Sequence, residues 1–213
     1  MKTHLEYEKP MDIEAQSMEL IAAELPHPLN PENEAVIKRV IHTTADFDYV
    51  DNLVFTPGAV AKGIDALRDG CSIVTDTTMA QAGINKRTLA RLGGRTLNFI
   101  ADPQVAAEAK TRGVTRSAVS MERAAALGEP LIYAIGNAPT ALIRLCELVQ
   151  AGEMTPPALV IGVPVGFVNV VEAKELLLQM EVPSIVARGR KGGSNVAAAI
   201  CNALLYQAAG ARD

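Results

Sequence analysis

Leu131-Ile-Tyr-Ala-Ile-Gly136-Asn-Ala-Pro-Thr140 reads as a strand that breaks into a glycine-bearing loop and then a helix. The same arrangement returns twice. Ala158 to Ile161 runs into Gly162-Val-Pro-Val-Gly166 and a helix from about Val170, and Ile185 to Ala187 runs into Arg188-Gly-Arg-Lys-Gly-Gly-Ser-Asn195 and a helix to about Gln207. Three strand, loop, helix units in succession predict a parallel sheet with right-handed crossovers. Their loops then open on one edge, where helix amino termini and exposed amides converge and where open α/β sheets bind ligands. The expected fold class is α/β, a largely parallel sheet with helices on both faces, with residues 1–213 forming a single domain.

Bulk properties agree with this and narrow the function. A chain of 213 residues that is 49% hydrophobic can bury a substantial core as one domain. Its net charge of −4 is scattered, so there is no basic face for nucleic acid, and an acidic ligand must be held by local cations. Aromatic content of 4% with no tryptophan argues against stacking platforms for single strands. The start of the chain, Met1 to Pro10, is polar, and no apolar run reaches membrane-spanning length, so a cytoplasmic protein without a signal peptide or membrane segment is expected. Cys71, Cys146 and Cys201 stand far apart among aliphatic residues and read as buried small hydrophobes, offering no metal site and no disulfide.

Upstream of the three units the elements are legible from caps and periodicity. Asp12 to about Leu25 is a helix, with Asp12 as cap and Ile13, Leu20 and Ile21 as an apolar stripe near Ser17. Asn30-Pro31-Glu32 starts a second helix, in which Val36, Ile37, Val40 and Ile41 repeat at helical spacing up to His42. Leu53 to Phe55 is a short strand; Pro57-Gly58 turns into a helix with Val60, Ile64 and Leu67 inward and Gly70 as its stop. Cys71 to Val74 is a strand delivering the polar cluster Thr75-Asp-Thr-Thr78 to a loop. Helix Asn85 to Leu92, strand Thr96 to Ile100, and helix Pro103 to Lys110 follow. Gly113-Val-Thr-Arg-Ser117 then opens a helix to about Leu127, placing Arg116 near an amino terminus that accepts anions.

Chemistry concentrates in Arg39-Val-Ile-His-Thr-Thr-Ala-Asp-Phe-Asp-Tyr49. Of the three histidines, His4, His27 and His42, only His42 has charged and hydroxyl-bearing sequence neighbours to set its tautomer and pKa, with Arg39 one helical step away. The plainer reading is a histidine satisfying the last carbonyls of a helix, with Asp46 and Asp48 as turn formers. A second concentration is the loop Arg188, Arg190, Lys191 with its glycines, which suits a ligand with several carboxylates. It does not fit the phosphate loop Gly-x-x-x-x-Gly-Lys-Ser/Thr, because Lys191 precedes the paired glycines, and Gly162 to Gly166 does not fit Gly-x-Gly-x-x-Gly.

Four ordered blocks, Arg39 to Tyr49, Ile135-Gly-Asn-Ala-Pro-Thr-Ala-Leu142, Gly162-Val-Pro-Val-Gly-Phe-Val168 and Gly189-Arg-Lys-Gly-Gly-Ser194, resemble the precorrin-8X methylmutase family, also called cobalt-precorrin-8 methylmutase. The resemblance spans nearly the whole chain. It implies an α/β homodimer without an added cofactor that moves a methyl group from C-11 to C-12 of a tetrapyrrole, giving hydrogenobyrinate or cobyrinate in cobalamin biosynthesis. The family's catalytic histidine falls on His42, and its substrate contacts on Ser17, Arg39 and Arg116. Lys191 is added on its loop chemistry, and Thr77 and Asp48 as polar neighbours of the expected site. The stretch Asn169-Val-Val-Glu-Ala-Lys174 departs from the family's Gly-Ala-x-Glu-Ser-Lys, a difference that bears on helix packing.

The expected chemistry is consistent with these residues. A methyl shift around a conjugated ring has no leaving group to activate, so the enzyme chiefly orients a polycarboxylate and moves one proton with an acid of near-neutral pKa. Two alternatives remain at this level: a tetrapyrrole carrier, which would need the basic loops but not His42, and another α/β enzyme of small anionic substrates, such as a phosphosugar isomerase.

Overall fold

The computed structural model describes residues 10–210, with side chains from residue 13 onward; His4, the polar start of the chain and the Asp12 side chain lie outside the described residues. The amino-terminal half contains α1 (Pro10–Glu24), α2 (Glu34–Thr44), α3 (Tyr49–Asn52), β1 (Leu53–Phe55), α4 (Ala59–Arg68), β2 (Ile73–Thr75), α5 (Thr78–Gly83), α6 (Lys86–Arg91) and β3 (Thr96–Leu97). There follow α7 (Pro103–Arg112), α8 (Arg116–Ala125), β4 (Ile132–Ile135), α9 (Pro139–Gln150), β5 (Leu159–Gly162), α10 (Val170–Leu178), β6 (Ser184–Ala187) and α11 (Ser194–Ala209).

The strands form one sheet in the order β1-β6-β5-β4-β2-β3. Every neighbouring pair is parallel except β1 with β6, where Leu53 lies opposite Ala187. From β2 the chain steps out to β3 and then crosses back to β4 on the other side of β2. The carboxyl ends of β2 and β4 therefore flank the topological switch point.

Alternation along the strands builds two cores. Ile73, Ile132, Ala134, Leu159, Ile161, Ile185 and Ala187 face α2, α4 and α11. Val74, Tyr133, Ile135, Val160 and Val186 face α8, α9 and α10. Both faces are covered, as a parallel sheet requires. On α2 the stripe Val36, Ile37, Val40 and Ile41 is buried as the spacing predicts, roughly 2 kcal/mol for each large side chain, and this fixes where the next residue, His42, emerges. Because β1 runs antiparallel to β6, the turn from α2 into β1 lies at the carboxyl end of β6. His42 and the loop after β6 thus share one edge.

Several boundaries differ from expectation for local reasons. Helix α1 begins at Pro10, before Asp12, and its stripe is only partly used: Ile21 packs on the core, whereas Ile13 and Leu20 are 50% and 57% exposed. Helix α2 starts at Glu34 because Asn30 closes a turn, its Oδ1 accepting from Glu32 N and its carbonyl from Asn33 and Glu34 N. Strand β3 stops at Leu97 because the Asn98 amide donates to the Thr75 carbonyl (2.8 Å) and hydroxyl (3.0 Å). Helix α5, unforeseen in the sequence, is capped by Thr77, whose Oγ1 accepts from Ala80 N at 3.1 Å.

Candidate active site

His42 stands in the last turn of α2, which ends at Ala45 in a left-handed conformation. Buried Ile41 anchors the turn, while His42 itself is exposed along one wall of a cleft of about 260 Å3 that it shares with Ser17, Leu20, Ile21 and Phe47. Ser17 and His42, 25 residues apart in sequence, are thereby brought together. Ser17 Oγ donates to the Ile13 carbonyl at 2.7 Å and keeps its lone pairs available. Partial burial, and secondarily the Arg39 charge, hold the His42 pKa below its usual 6.5. The imidazole is therefore mostly neutral near pH 7, able to accept a proton or, with anionic groups beside it, to donate one.

Arg39 is close enough to act on His42 but points elsewhere. Its Nη1 donates to Glu14 at 2.7 Å, its guanidinium lies 5.5 Å from the Tyr206 ring centroid, and it lines a separate cavity of about 650 Å3 with Asp65, Arg68 and Tyr206.

The loop after β6 meets the exit of α2 through Lys191, whose Nζ donates to Asp46 Oδ2 and Asp48 Oδ2, each at 2.6 Å. Lys191 lowers the Asp46 pKa by this hydrogen bond, and the two aspartates raise that of Lys191. These pairs are solvent-exposed, so each is weak, salt-sensitive and open to exchange with another anion. Arg188 is paired with Glu175 at 2.9 and 3.0 Å. Arg190 lies 5.4 Å from the ring centroid of Phe167, which at 83% exposure forms an apolar lip with Val168. The loop is kept low against its neighbour by Gly192 (φ +156°), where a Cβ would run into the Val163 carbonyl.

At the switch point lies a different construction. Asp76 is buried, and its carboxylate accepts from the backbone N–H of Gly136 (2.9 Å), Asn137 (2.8 Å) and Ala138 (2.7 Å). Burial raises its pKa against the pull of these three amides. The start of α9, where doubly wound sheets commonly receive a ligand anion, is filled by the chain's own carboxylate. Sequence reasoning singled out Asp76 only as part of a polar cluster, since its partners lie sixty residues away. Its neighbour Thr77 shares a 2.8 Å hydrogen bond with Ser194 Oγ at the start of α11, and a Cβ at Gly136 would meet Ser194 Cα at 2.7 Å. The loops after β2, β4 and β6 are locked together here.

Arg116 starts α8 farther along this edge. The preceding Thr115 accepts from Ala118 N (3.2 Å) and donates to Thr140 Oγ1 (2.9 Å) in the first turn of α9, which places Arg116 beside the β4 loop. Its side chain is exposed, with no carboxylate partner among the described residues. His42, Ser17, Lys191 and Asp48 thus gather at one end of the edge, Thr77 lies at the switch point toward the other and Arg116 beyond it, while Arg39 turns away. His27, which lacked sequence neighbours of this kind, acquires one through folding: its Nε2 lies 3.0 Å from Asp51 Oδ1, raising its pKa. No group of three or more His, Cys, Asp or Glu among the described residues is arranged to hold a metal, and the three cysteines are free thiols.

No helix among the described residues is long and apolar enough to cross a membrane. Residues 12–207 match the family model of precorrin-8X methylmutase. A cobalt-precorrin-8 methylmutase from Salmonella typhimurium is 48% identical over 206 residues, spanning 93% of this chain and 96% of that protein. A precorrin-8X methylmutase from Pseudomonas aeruginosa is 43% identical, over 80% of this chain and 82% of that one. The crystal structure of precorrin-8x methyl mutase from Thermus thermophilus superposes with a TM-score of 0.85 at 39% identity, covering 93% of this chain and 98% of that one. The chain belongs to the precorrin-8X methylmutase family, isomerases of cobalamin biosynthesis.

Proposed function

We propose that the enzyme moves the methyl group at C-11 of precorrin-8X or cobalt-precorrin-8 to C-12, giving hydrogenobyrinate or cobyrinate, with His42 as proton donor and acceptor. The observation that carries this reading is His42 itself, an exposed imidazole of depressed pKa opposite Ser17 in a cleft at the ligand edge of a methylmutase fold. Migration on a conjugated ring needs the electron demand of the ring changed at one position, and protonation by one well-placed acid accomplishes that. The rest of the work is orientation of a large polycarboxylate. Exposed Arg116 and Arg190 suit its acetate and propionate arms, and Lys191 takes part by exchanging Asp46 or Asp48 for a substrate carboxylate. Ser17 and Thr77 contribute hydroxyls, and Arg39 acts on His42 through its charge.

A cleft of about 260 Å3 admits only part of a tetrapyrrole, so the macrocycle lies across the edge rather than inside one chain. This, with exposed Ile13, Leu20, Phe167 and Val168 around it, favours a homodimer in which a second copy covers the substrate. The working unit is then a pair of single-domain chains, placed in the cytoplasm with no nucleic-acid or membrane partner.

The test is an absorbance time course of the purified protein mixed with precorrin-8X and, in parallel, with its cobalt-loaded form. Conversion of either to a corrin spectrum supports the reading and identifies the natural substrate. A bound spectrum that never evolves would make the protein a carrier, and no spectral change would reject the substrate class.

A further inference from the structure

Lys174, in the middle of α10, is 0% exposed, and none of the chemistry above uses it. A buried ammonium without a carboxylate partner is strongly unfavourable, and among the described residues none pairs with it. Its Nζ instead donates to two main-chain carbonyls, those of Gly189 (2.8 Å) and Lys191 (2.7 Å). Both belong to the loop after β6, in which Gly189, Gly192 and Gly193 have φ of +77°, +156° and +136°. Glycines let that loop turn tightly but leave it wide conformational freedom. Its ends are tied by backbone bonds, Gly166 N to the Arg190 carbonyl and Gly193 N to the Val163 carbonyl. Lys174 fastens the stretch from beneath.

We propose that Lys174 is a positioning residue: by holding the Gly189 and Lys191 carbonyls it aims Arg190 and Lys191 at the anionic arms of the substrate and keeps Lys191 in reach of Asp46 and Asp48 beside the His42 helix. This rests on the reading that the loop grips substrate. The line of contact is continuous, from the Lys174 ammonium to the Lys191 backbone, through the Lys191 side chain to Asp46, four residues after His42.

The surroundings make this a titrating device. Strand β6 has no ionisable side chain, and the loop contributes Arg188, paired with Glu175 of α10, Arg190, stacked on Phe167, and Lys191. On α9, Arg144 and Glu147 pair with each other, and burial holds the Cys146 thiol protonated, its pKa pushed up to about 12. Glu172 shares α10. Burial lowers the Lys174 pKa from 10.5 to about 8. Below that the bonds to the loop are charge-assisted; above it they become ordinary and roughly half as strong. The effect on folding has the opposite sign. The unfolded chain keeps this proton up to about 10.5 and the folded chain only to about 8, so between those values the group's contribution to stability rises with pH.

Steady-state kinetics of the intact enzyme between about pH 6.5 and 9.5, wild type beside Lys174→Met, separate the roles. In the wild type, KM is expected to rise about three- to tenfold through pH 8 to 9 while kcat changes by less than about twofold. Lys174→Met is expected to have a KM raised about tenfold at pH 7, with no further alkaline rise. A variant with wild-type KM that keeps the alkaline limb overturns the proposal. If the variant does not fold, a flat KM profile in the wild type overturns it equally. Amide exchange of residues 188–193 without substrate, corrected for intrinsic rate, is expected to quicken above pH 8; unchanged protection there also overturns it. Quickened exchange in a protein that turns over neither substrate form supports the Lys174 clamp and defeats the functional reading on which it was placed.

Discussion

The two ends of the loop edge are built on opposite principles. At the switch point, a buried carboxylate is saturated by three backbone amides, and the loops after β2, β4 and β6 touch with no room for a Cβ at Gly136. At the other end, beside His42, Lys191 is joined to Asp46 and Asp48 by exposed ion pairs that water and salt loosen. The first end holds the fold's usual anion position shut and rigid. The second offers contacts that are cheap to exchange, as the proposed entry of a polycarboxylate requires if the scaffold is not to be displaced.

The largest change in folding free energy is expected on breaking the closed end. Asp76→Ala removes a buried carboxylate and the acceptor of three backbone N–H groups, and should lower stability by about 3–5 kcal/mol, read from denaturant unfolding. A loss below about 1 kcal/mol would make the two ends alike. For an exposed cation of the edge the effect should fall on binding instead: Arg116→Ala, on the far side of the switch point from His42, is expected to weaken the corrinoid about tenfold, roughly 1.4 kcal/mol, with the melting temperature nearly unchanged, and an unaltered dissociation constant removes Arg116 from the site. Smallest is the electrostatic link between Arg39 and His42, one helical step apart on α2. Arg39→Met removes a nearby positive charge, so the His42 pKa should rise in an NMR titration while remaining below 6.5, because burial is the larger cause; an unchanged pKa would remove Arg39 as a cause.

How much of this was legible in the sequence follows the range of the interactions. The three strand, loop, helix units predicted the parallel sheet because each is a local pattern, and Val36, Ile37, Val40 and Ile41 placed His42 at a helix end because spacing alone decides that. The antiparallel direction of β1 was not legible, since three residues carry no orientation. Helix α5 escaped because six residues, with Met79 the only large apolar one, show no periodicity. The partners of Asp76 and His27 come from distant segments, and Lys174 looked like any lysine of an amphipathic helix until the loop after β6 folded over it. Ile13 and Leu20 show the converse: the spacing set them in one stripe with Ile21, but only Ile21 packs on the core and the other two are exposed.

If His42 moves the proton, its loss stops conversion and spares binding. Single-turnover absorbance of His42→Ala mixed with the substrate form that the wild type converts tests it most directly. Binding is expected within about tenfold of wild type, roughly 1.4 kcal/mol, with a bound spectrum that does not become that of a corrin. Conversion at the wild-type rate would contradict it.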